Sequence, residues 1–209
     1  MPLDRLFYLL YNIAIKNGDD TMSNIFEKAV SFALKAHEGQ VRKDGGVYIL
    51  HPLEDAAIVG TMTNDLEMLA AAVLHDTVED TDVTAEDILE NFGERVAELV
   101  AHETENKRPE QKASDTWKIR KVESLEVLKN SPLESKMLWI GDKLSNMRSL
   151  ARDYEKLGEA VFERFNEKDP REQRWYHETV LDYTRELSEY AAYREYKFLF
   201  DQVFDKYKS

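Results

Sequence analysis

The sequence contains no cysteine, which excludes disulfide bonds, thiolate zinc sites, iron–sulfur clusters and cysteine nucleophiles. Residues that break helices are also scarce, with 8 glycines and 5 prolines among 209 residues. No run of about 18 apolar residues occurs, so we expect no transmembrane helix. A chain without cysteine is compatible with a reducing compartment, and we expect a cytoplasmic protein.

Basic residues are fewer than acidic ones, and 28 Lys and Arg against 41 Asp and Glu give a formal net charge of −13. This excess of negative charge disfavours nucleic acid and anionic membrane surfaces as partners. It does not exclude a small phosphorylated ligand, because such a ligand responds to the local field rather than to the total charge. A hydrophobic fraction of 43% is enough for a sizeable core.

The spacing of apolar residues predicts an all-α fold, a compact bundle of about eight to ten helices with a single core. Residues 1–22 are expected to form a helical extension, whose apolar side could pack on the domain or on a second subunit of a homo-oligomer. Residues 23–209 are expected to form the main domain. Within it, residues 66–78 are apolar almost all round and predict a central buried helix. Another helix is expected over 171–205.

His75 and Asp76 lie inside the apolar segment that predicts the central helix. An ionised carboxylate in such surroundings costs several kcal/mol unless it is paired or bound to a metal. Glu79 and Asp80 follow closely, so three carboxylates and one imidazole gather near a helix end. Because the C-terminal end of a helix disfavours negative charge, this cluster needs a compensating cation, which could be a metal ion or a basic substrate.

Further candidate ligands lie elsewhere in the chain. Either His37 or His51 could supply a second imidazole. Asp142, Asn146 and Ser149 share one face of a predicted helix, which indicates either a polar cavity or a surface stripe. Two imidazoles and two carboxylates would form a mixed nitrogen and oxygen site, which suits Mn²⁺, Fe²⁺ or Zn²⁺ better than Ca²⁺.

Four blocks of the sequence resemble the hydrolase domain of RelA/SpoT homologues, which cleaves the alarmone ppGpp and belongs to the wider HD-domain phosphohydrolases. In chain order they are AHEGQVRKDGGVYILHP (36–52), AAAVLHDTVEDTDVT (70–84), FGERVAELV (92–100) and GDKLSNMRSL (141–150). They keep the order and similar separations of the family. Because 209 residues leave no room for the synthetase and regulatory domains of long members, the resemblance implies a stand-alone small alarmone hydrolase.

The resemblance also implies a metal centre and a place for the attacking water. Glu79 and Asp80 would orient or deprotonate that water, and His37 would be structural. The implied ion is a single divalent metal, usually Mn²⁺ in this family. Its four implied ligands are His51, His75, Asp76 and Asp142.

The nucleotide would lie against a separate set of residues. Arg42 and Lys43 match an RK pair that contacts the base and phosphates in the family, and Asn146 would contact the ribose or base. Trp175 and Tyr176 are expected to pack in the core or, alternatively, to close the pocket by stacking. The complete set of implied nucleotide-binding residues is Arg42, Lys43, Asn146, Arg148 and Ser149.

Two departures from the family concern the walls of the pocket rather than the implied ligands. The block that reads LADRLHN in the family reads IGDKLSN here, so Gly141 and Ser145 are substituted. Residues 102–108 stand where long members tend to read VTKL. The function that the resemblance implies is removal of the 3′-pyrophosphate of (p)ppGpp, giving GDP or GTP and PPi. The alternatives are a phosphohydrolase for an adenine alarmone or a nucleoside monophosphate, or a nucleotide sensor without turnover.

Overall fold

Helices account for the regular structure in the computed structural model, which describes residues 23–43 and 45–208. The predicted extension over 1–22 lies outside the described residues. Ten α-helices in these ranges confirm the all-α prediction, and their buried apolar side chains form one cluster. They are α1 (Ser23–Ala36), α2 (Leu50–Val59), α3 (Leu66–Leu74), α4 (Thr77–Asp80), α5 (Ala85–Phe92), α6 (Glu94–Glu103), α7 (Ala113–Asn130), α8 (Leu133–Leu157), α9 (Pro170–Tyr183) and α10 (Ala191–Phe204).

Shorter elements connect these helices. Segments of 3₁₀ helix cover Gly158–Arg164, Arg185–Leu187 and Asp205–Tyr207. An antiparallel bridge pairs Val41 with Val47 in the turn before α2. None of the helices in the described ranges is long and apolar enough to cross a lipid bilayer.

Helix α8 lies at the centre of the bundle and packs against α2, α3, α6, α7 and α10. Its apolar stripe is buried, with Ile140 and Met147 fully inaccessible to solvent. Asp142 lies on the same helix and is only 5% exposed, so a carboxylate of α8 is held inside the protein. A buried charge in this position requires a counter-charge or a metal ion.

The central helix predicted over 66–78 is interrupted, so the prediction of one continuous helix was wrong. α3 ends at Leu74, α4 begins at Thr77, and His75 and Asp76 form the turn between them. The Thr77 hydroxyl donates a 2.7 Å hydrogen bond to the carbonyl of Leu74. Side-chain donors of this kind compete with the backbone for helix carbonyls. The break places two adjacent side chains on a turn rather than within a regular helix.

The single helix predicted over 171–205 is also two helices, α9 and α10, which pack against each other. Their contacts run antiparallel, because Nδ1 of His177 lies 2.7 Å from the Tyr196 hydroxyl and the Tyr193 hydroxyl donates to the carbonyl of Leu181. The chain therefore reverses over residues 184–190. The reversal brings α9 to the same cavity as α8, whereas one straight helix would extend away from it.

Candidate metal centre and nucleotide cavity

A cavity of about 580 Å³ is lined by the turn before α2, the turn between α3 and α4, and parts of α7, α8 and α9. Ten of the eleven residues predicted for the site line this cavity, and Arg148 does not. The sequence therefore identified ten of the thirty residues that line the cavity, although these ten come from segments that are far apart in the chain. The ten are Arg42, Lys43, His51, His75, Asp76, Glu79, Asp80, Asp142, Asn146 and Ser149.

Two histidines and two aspartates converge at one point of the cavity. Nε2 of His51 lies 3.1 Å from Oδ1 of Asp142 and 3.5 Å from Oδ2 of Asp76. Nε2 of His75 lies 3.1 Å from Oδ2 of Asp76 and 3.8 Å from Oδ1 of Asp142. The structure thus brings together all four side chains that the sequence suggested as metal ligands.

The other ring nitrogens of these histidines are held by hydrogen bonds. The Ser145 hydroxyl donates to the Glu54 carboxylate over 2.8 Å, so its lone pair accepts from Nδ1–H of His51, also at 2.8 Å. Nδ1 of His75 lies 2.7 Å from the carbonyl of Ala72, which can only accept. Both imidazoles therefore carry hydrogen on Nδ1 and present the Nε2 lone pair to the cluster.

These donors fit a divalent ion. Nε2 of His75 is buried and has no hydrogen-bond partner among the described residues. Ligand atoms of His51, His75 and Asp142 all lie within 4.8 Å of one another. Ligands at 2.0–2.2 Å from an ion and at right angles to each other are about 3 Å apart, close to the shortest separations found here. A lone pair facing carboxylate oxygens is repelled unless a cation lies between them.

The electrostatics of the cluster favour a cation as well. Burial lowers the pKa of His75, but Asp76 and Asp55 outweigh it and raise that pKa well above its usual range. Burial opposes ionisation of Asp142, yet Lys143 and the histidines hold the pKa of this carboxyl well below its usual range. The negative electrostatic potential that favours a proton on an imidazole also attracts a metal ion, which competes with the proton for Nε2.

Two further carboxylates, those of Glu79 and Asp80, lie beside the cluster of histidines and aspartates. The Tyr48 hydroxyl is 2.6 Å from Oδ2 of Asp80 and 2.7 Å from Oδ2 of Asp76, and it bridges the two groups. Nζ of Lys107 contacts Asp80 and lies 3.3 Å from Oε1 of Glu79. Burial and the charge of Asp76 raise the pKa of Glu79. Glu79 therefore holds a proton more readily than an exposed carboxylate does.

Arg42 and Lys43 form a cationic part of the cavity wall. Arg42 donates to the side-chain oxygen of Asn146 over 2.9 Å, and Nζ of Lys43 lies 4.6 Å above the Phe165 ring. In the part of the chain that the structure describes, neither cation has a carboxylate within 4 Å. Burial and repulsion by Lys121 lower the pKa of Lys43. Crowded cations without counter-ions form a surface that attracts an anion.

Arg148 is directed elsewhere, which corrects its predicted place near the nucleotide. Its guanidinium forms two hydrogen bonds of 2.7 Å with Glu195 on α10 and one of 2.9 Å with Glu54 on α2. These carboxylates neutralise the charge that was expected to meet phosphate. Arg148 and Ser149 are neighbours in sequence but point to different sides of α8, and only Ser149 reaches the cavity.

Tyr48 was missed from the sequence although it lines the cavity and contacts acidic residues, and its signal was proximity in sequence to His51. Lys143, a basic residue expected near the site, also lines the cavity and contacts Asp142. Tyr176 lines the cavity, whereas its neighbour Trp175 packs edge-on against Trp117 at 6.5 Å. His37, which the resemblance made structural, is buried and stacked on Tyr48.

The fold and the site together define an all-α protein with a centre of histidines and aspartates suited to a divalent ion. The family model described as HD domain matches residues 29–170, and the chain belongs to this family. The chain is 39% identical over 124 residues to a guanosine-3′,5′-bis(diphosphate) 3′-pyrophosphohydrolase of Aquifex aeolicus. That match covers 59% of this chain and 17% of the relative, so the chain spans about a sixth of the length of such relatives.

Two solved structures are also similar. The crystal structure of lmo0812 from Listeria monocytogenes EGD-e has a TM-score of 0.65 and 31% identity, covering 74% of this chain and 94% of that one. The structure of a metazoan ortholog of SpoT, described as hydrolysing ppGpp, has a TM-score of 0.64 and 26% identity. It covers 88% of this chain and 95% of that one. Both matches therefore cover nearly the whole length of the solved chains.

Proposed function

We propose that this protein hydrolyses (p)ppGpp in a reaction that depends on a divalent metal, releasing PPi from the ribose 3′ position. The convergence of His51, His75, Asp76 and Asp142 in one cavity carries the proposal. The name of the Aquifex aeolicus relative and the activity described for the metazoan ortholog of SpoT support the choice of substrate. The reaction leaves GDP from ppGpp and GTP from pppGpp.

The two histidines and two aspartates would hold the ion, and we propose Mn²⁺ because it accepts both imidazole nitrogen and carboxylate oxygen. When bound, the ion supplies Lewis acidity toward water and phosphate oxygens. The backbone and side-chain acceptors behind His51 and His75 keep both Nε2 lone pairs directed into the centre. The Tyr48 hydroxyl shares its one hydrogen between Asp76 and Asp80, which holds the Asp76 carboxylate in place.

Glu79 accepts the proton of the attacking water. Its raised pKa makes it a stronger base than an exposed glutamate at neutral pH. Both oxygens of Asp80 are engaged, by Tyr48 and by Lys107, which suits Asp80 to orienting its neighbours rather than to exchanging protons. The water oxygen bonds to the phosphorus attached to O3′, the bond between that phosphorus and O3′ breaks, and O3′ leaves as a hydroxyl with the proton that Glu79 took from the water.

Arg42 and Lys43 contact the phosphates and base of the substrate. Their cations lack carboxylate partners within 4 Å in the described part of the chain, so a polyphosphate meets charge that is not already neutralised. A guanidinium can stack on a purine and bind phosphate through two donors, whereas an ammonium acts as a point charge. Asn146 and Ser149 on α8 contribute neutral polar groups to the same wall.

The test is product analysis with the Mn²⁺-loaded protein in water enriched in ¹⁸O. Phosphorus NMR should show GDP and PPi from ppGpp, with one ¹⁸O in PPi and none in GDP. Omission of Mn²⁺ with chelator present should abolish turnover. A protein that leaves ppGpp intact but cleaves an adenine alarmone or a nucleoside monophosphate would refute the substrate. Nucleotide binding without turnover by metal-loaded protein would identify a sensor instead.

A further inference from the structure

Two consecutive residues of α2, Glu54 and Asp55, place carboxylates behind the two histidines of the candidate metal centre. Oδ2 of Asp55 lies 3.2 Å from Nδ1 of His75, and the Asp55 residue is completely inaccessible to solvent. Neither of its oxygens has a hydrogen-bond partner in the described ranges. Because a buried carboxylate without such partners destabilises a fold, its presence at this position requires an explanation.

Space for Asp55 is provided by a glycine on α8. A Cβ atom built on Gly141 would lie 2.0 Å from Oδ1 of Asp55 and 2.7 Å from Cγ2 of Val59. Both distances are too short for non-bonded atoms. Glycine inside a helix is less favourable than alanine. Gly141 therefore makes room for a carboxylate at a position where a larger residue would displace it from His75.

Ser145 lies one helical turn after Gly141, on the face of α8 that meets α2. Its hydroxyl accepts from Nδ1 of His51 and donates to Glu54, each over 2.8 Å. Arg148 holds the other oxygen of Glu54 at 2.9 Å. Gly141 and Ser145 are two of the four positions at which the block IGDKLSN differs from LADRLHN. One substitution makes room for Asp55, and the other connects Glu54 to His51.

We propose that Asp55 and Glu54 are positioning residues that hold His75 and His51 for the divalent ion. Asp55 acts through the attraction of its carboxylate for the Nδ1–H of His75 over 3.2 Å, beside the hydrogen bond to Ala72. Glu54 acts through Ser145. The inference rests on the proposed function only in requiring a divalent ion at this centre. A carboxylate behind a ligand imidazole fixes the orientation of the ring and raises the basicity of the nitrogen that faces the metal. The same pair of helices, α2 and α8, thus supplies ligands and their supports.

The first test measures binding of Mn²⁺ alone to metal-free protein by calorimetry, without nucleotide. Asp55→Asn keeps the shape of the side chain but removes its charge. Glu54→Gln makes the same change in the side chain that contacts Ser145. Each should weaken Mn²⁺ binding about 10- to 100-fold. Glu90→Gln, at an exposed position on α5, is the matched control and should bind as the wild type does.

Thermal unfolding of the metal-free proteins separates positioning from packing. The melting temperature of Asp55→Asn should not fall, because the substitution conserves volume and removes a buried charge. Unchanged Mn²⁺ affinity in Asp55→Asn, within twofold of the wild type, would overturn the proposal. A lowered melting temperature with unchanged affinity would make Asp55 a packing residue and would overturn the proposal as well.

A second test uses Gly141→Ala alone and combined with Asp55→Ala. Gly141→Ala should lower the melting temperature and weaken Mn²⁺ binding, since its methyl group displaces Asp55. The loss of melting temperature should be smaller in the Asp55→Ala background, although the close contact with Val59 remains. An equal loss in both backgrounds would contradict the assigned contact between Asp55 and Gly141.

These results can be distinguished from the outcome for the proposed function. A protein whose Asp55→Asn variant binds Mn²⁺ weakly, but which cleaves a nucleotide other than ppGpp, retains the positioning residues and loses only the proposed substrate. A ppGpp hydrolase whose Asp55→Asn variant binds Mn²⁺ normally retains the function and loses the positioning role.

Discussion

The guanidinium of Arg42 donates a 2.9 Å hydrogen bond to Oδ1 of Asn146, although 104 residues separate the two in the chain. The amide nitrogen of Asn146 donates in turn to Oδ1 of Asp142 over 2.5 Å. An amide is suited to this position because it accepts on one side and donates on the other. A residue of the proposed nucleotide wall is therefore connected to a residue of the candidate metal centre.

Asn146→Asp is expected to impair catalysis although it conserves volume. The new carboxylate can still accept from Arg42, but it cannot donate to Asp142 and repels it. We expect kcat/KM for ppGpp to fall by about tenfold or more, as for other partners of metal ligands. Steady-state kinetics at saturating Mn²⁺ provide the measurement.

The control for this substitution is Asn91→Asp, which makes the same change at an exposed position near the end of α5. Its kcat/KM should match the wild type. If Asn146→Asp retained wild-type kcat/KM, the connection from Arg42 to Asp142 would have no part in the reaction.

Metal removal is expected to lower thermal stability. An ion that binds only the folded state at a hundred times its Kd adds about 2.7 kcal/mol to the free energy of unfolding. Thermal unfolding with Mn²⁺ and with chelator should therefore give clearly different melting temperatures for the wild type. In His51→Gln, which lacks one imidazole, Mn²⁺ should raise the melting temperature much less. Equal shifts in both proteins would place the ion elsewhere.

Glu79→Gln should separate proton transfer from metal binding. The amide cannot accept a proton from water, so kcat should fall by about 10²- to 10⁴-fold. Mn²⁺ affinity should stay within a few-fold of the wild type, because Glu79 is not among the residues that converge with the histidines. Calorimetry and single-turnover kinetics on the same preparation give both quantities. A parallel loss of affinity and rate would make Glu79 a metal ligand rather than a base.

Arg42 and Arg148 should differ in their effect on substrate binding, although both were expected near the nucleotide. Arg42→Ala removes a cation from the cavity wall and should raise KM for ppGpp by about tenfold, the loss expected for one charge-assisted hydrogen bond. Arg148→Ala breaks ion pairs with Glu195 and Glu54 outside the cavity. Its KM at saturating Mn²⁺ should remain within about twofold of the wild type. A similar rise in both variants would contradict the orientation of Arg148.

The candidate metal ligands could be identified from the local sequence, but the backbone conformation that positions them could not. His75 and Asp76 stood out because they interrupt an apolar segment. Periodicity nevertheless extended that segment as one helix over 66–78, since a hydrogen bond such as that from Thr77 to a backbone carbonyl leaves no trace in the apolar pattern. The helix predicted over 171–205 failed for a related reason. Its break contains neither glycine nor proline, and contacts between α9 and α10 hold it.

Asp55 shows what the sequence could not supply. It lies four residues after His51, on the same side of α2, which was a usable signal. Its neighbours in the helix are apolar on several sides, so the buried face could not be identified from periodicity. The position of the Asp55 side chain depends on Gly141, which is distant in the chain and leaves the necessary space because it has no side chain.

His177 provides a test of the buried surroundings of the cavity. Its side chain extends from α9 toward α10, where Nδ1 lies 2.7 Å from the Tyr196 hydroxyl. Burial, together with the positive charges of Lys143 and Lys121, lowers its pKa from 6.5 to about 3. Between these two pH values the unfolded chain binds a proton that the folded protein excludes. The free energy of unfolding therefore decreases as the pH falls below 6.5.

From pH 7 to pH 5, this one group should remove about 2 kcal/mol from the free energy of unfolding, since each pH unit below 6.5 contributes about 1.4 kcal/mol. His177→Gln keeps a hydrogen-bond acceptor for Tyr196 but does not titrate, so its stability should fall less over the same interval. Urea unfolding of both proteins at pH 7 and at pH 5 gives the comparison. Other titrating groups contribute equally to the two proteins, so the difference between the two losses isolates His177. Losses of the same size would show that His177 is protonated as easily in the folded protein as in the unfolded chain.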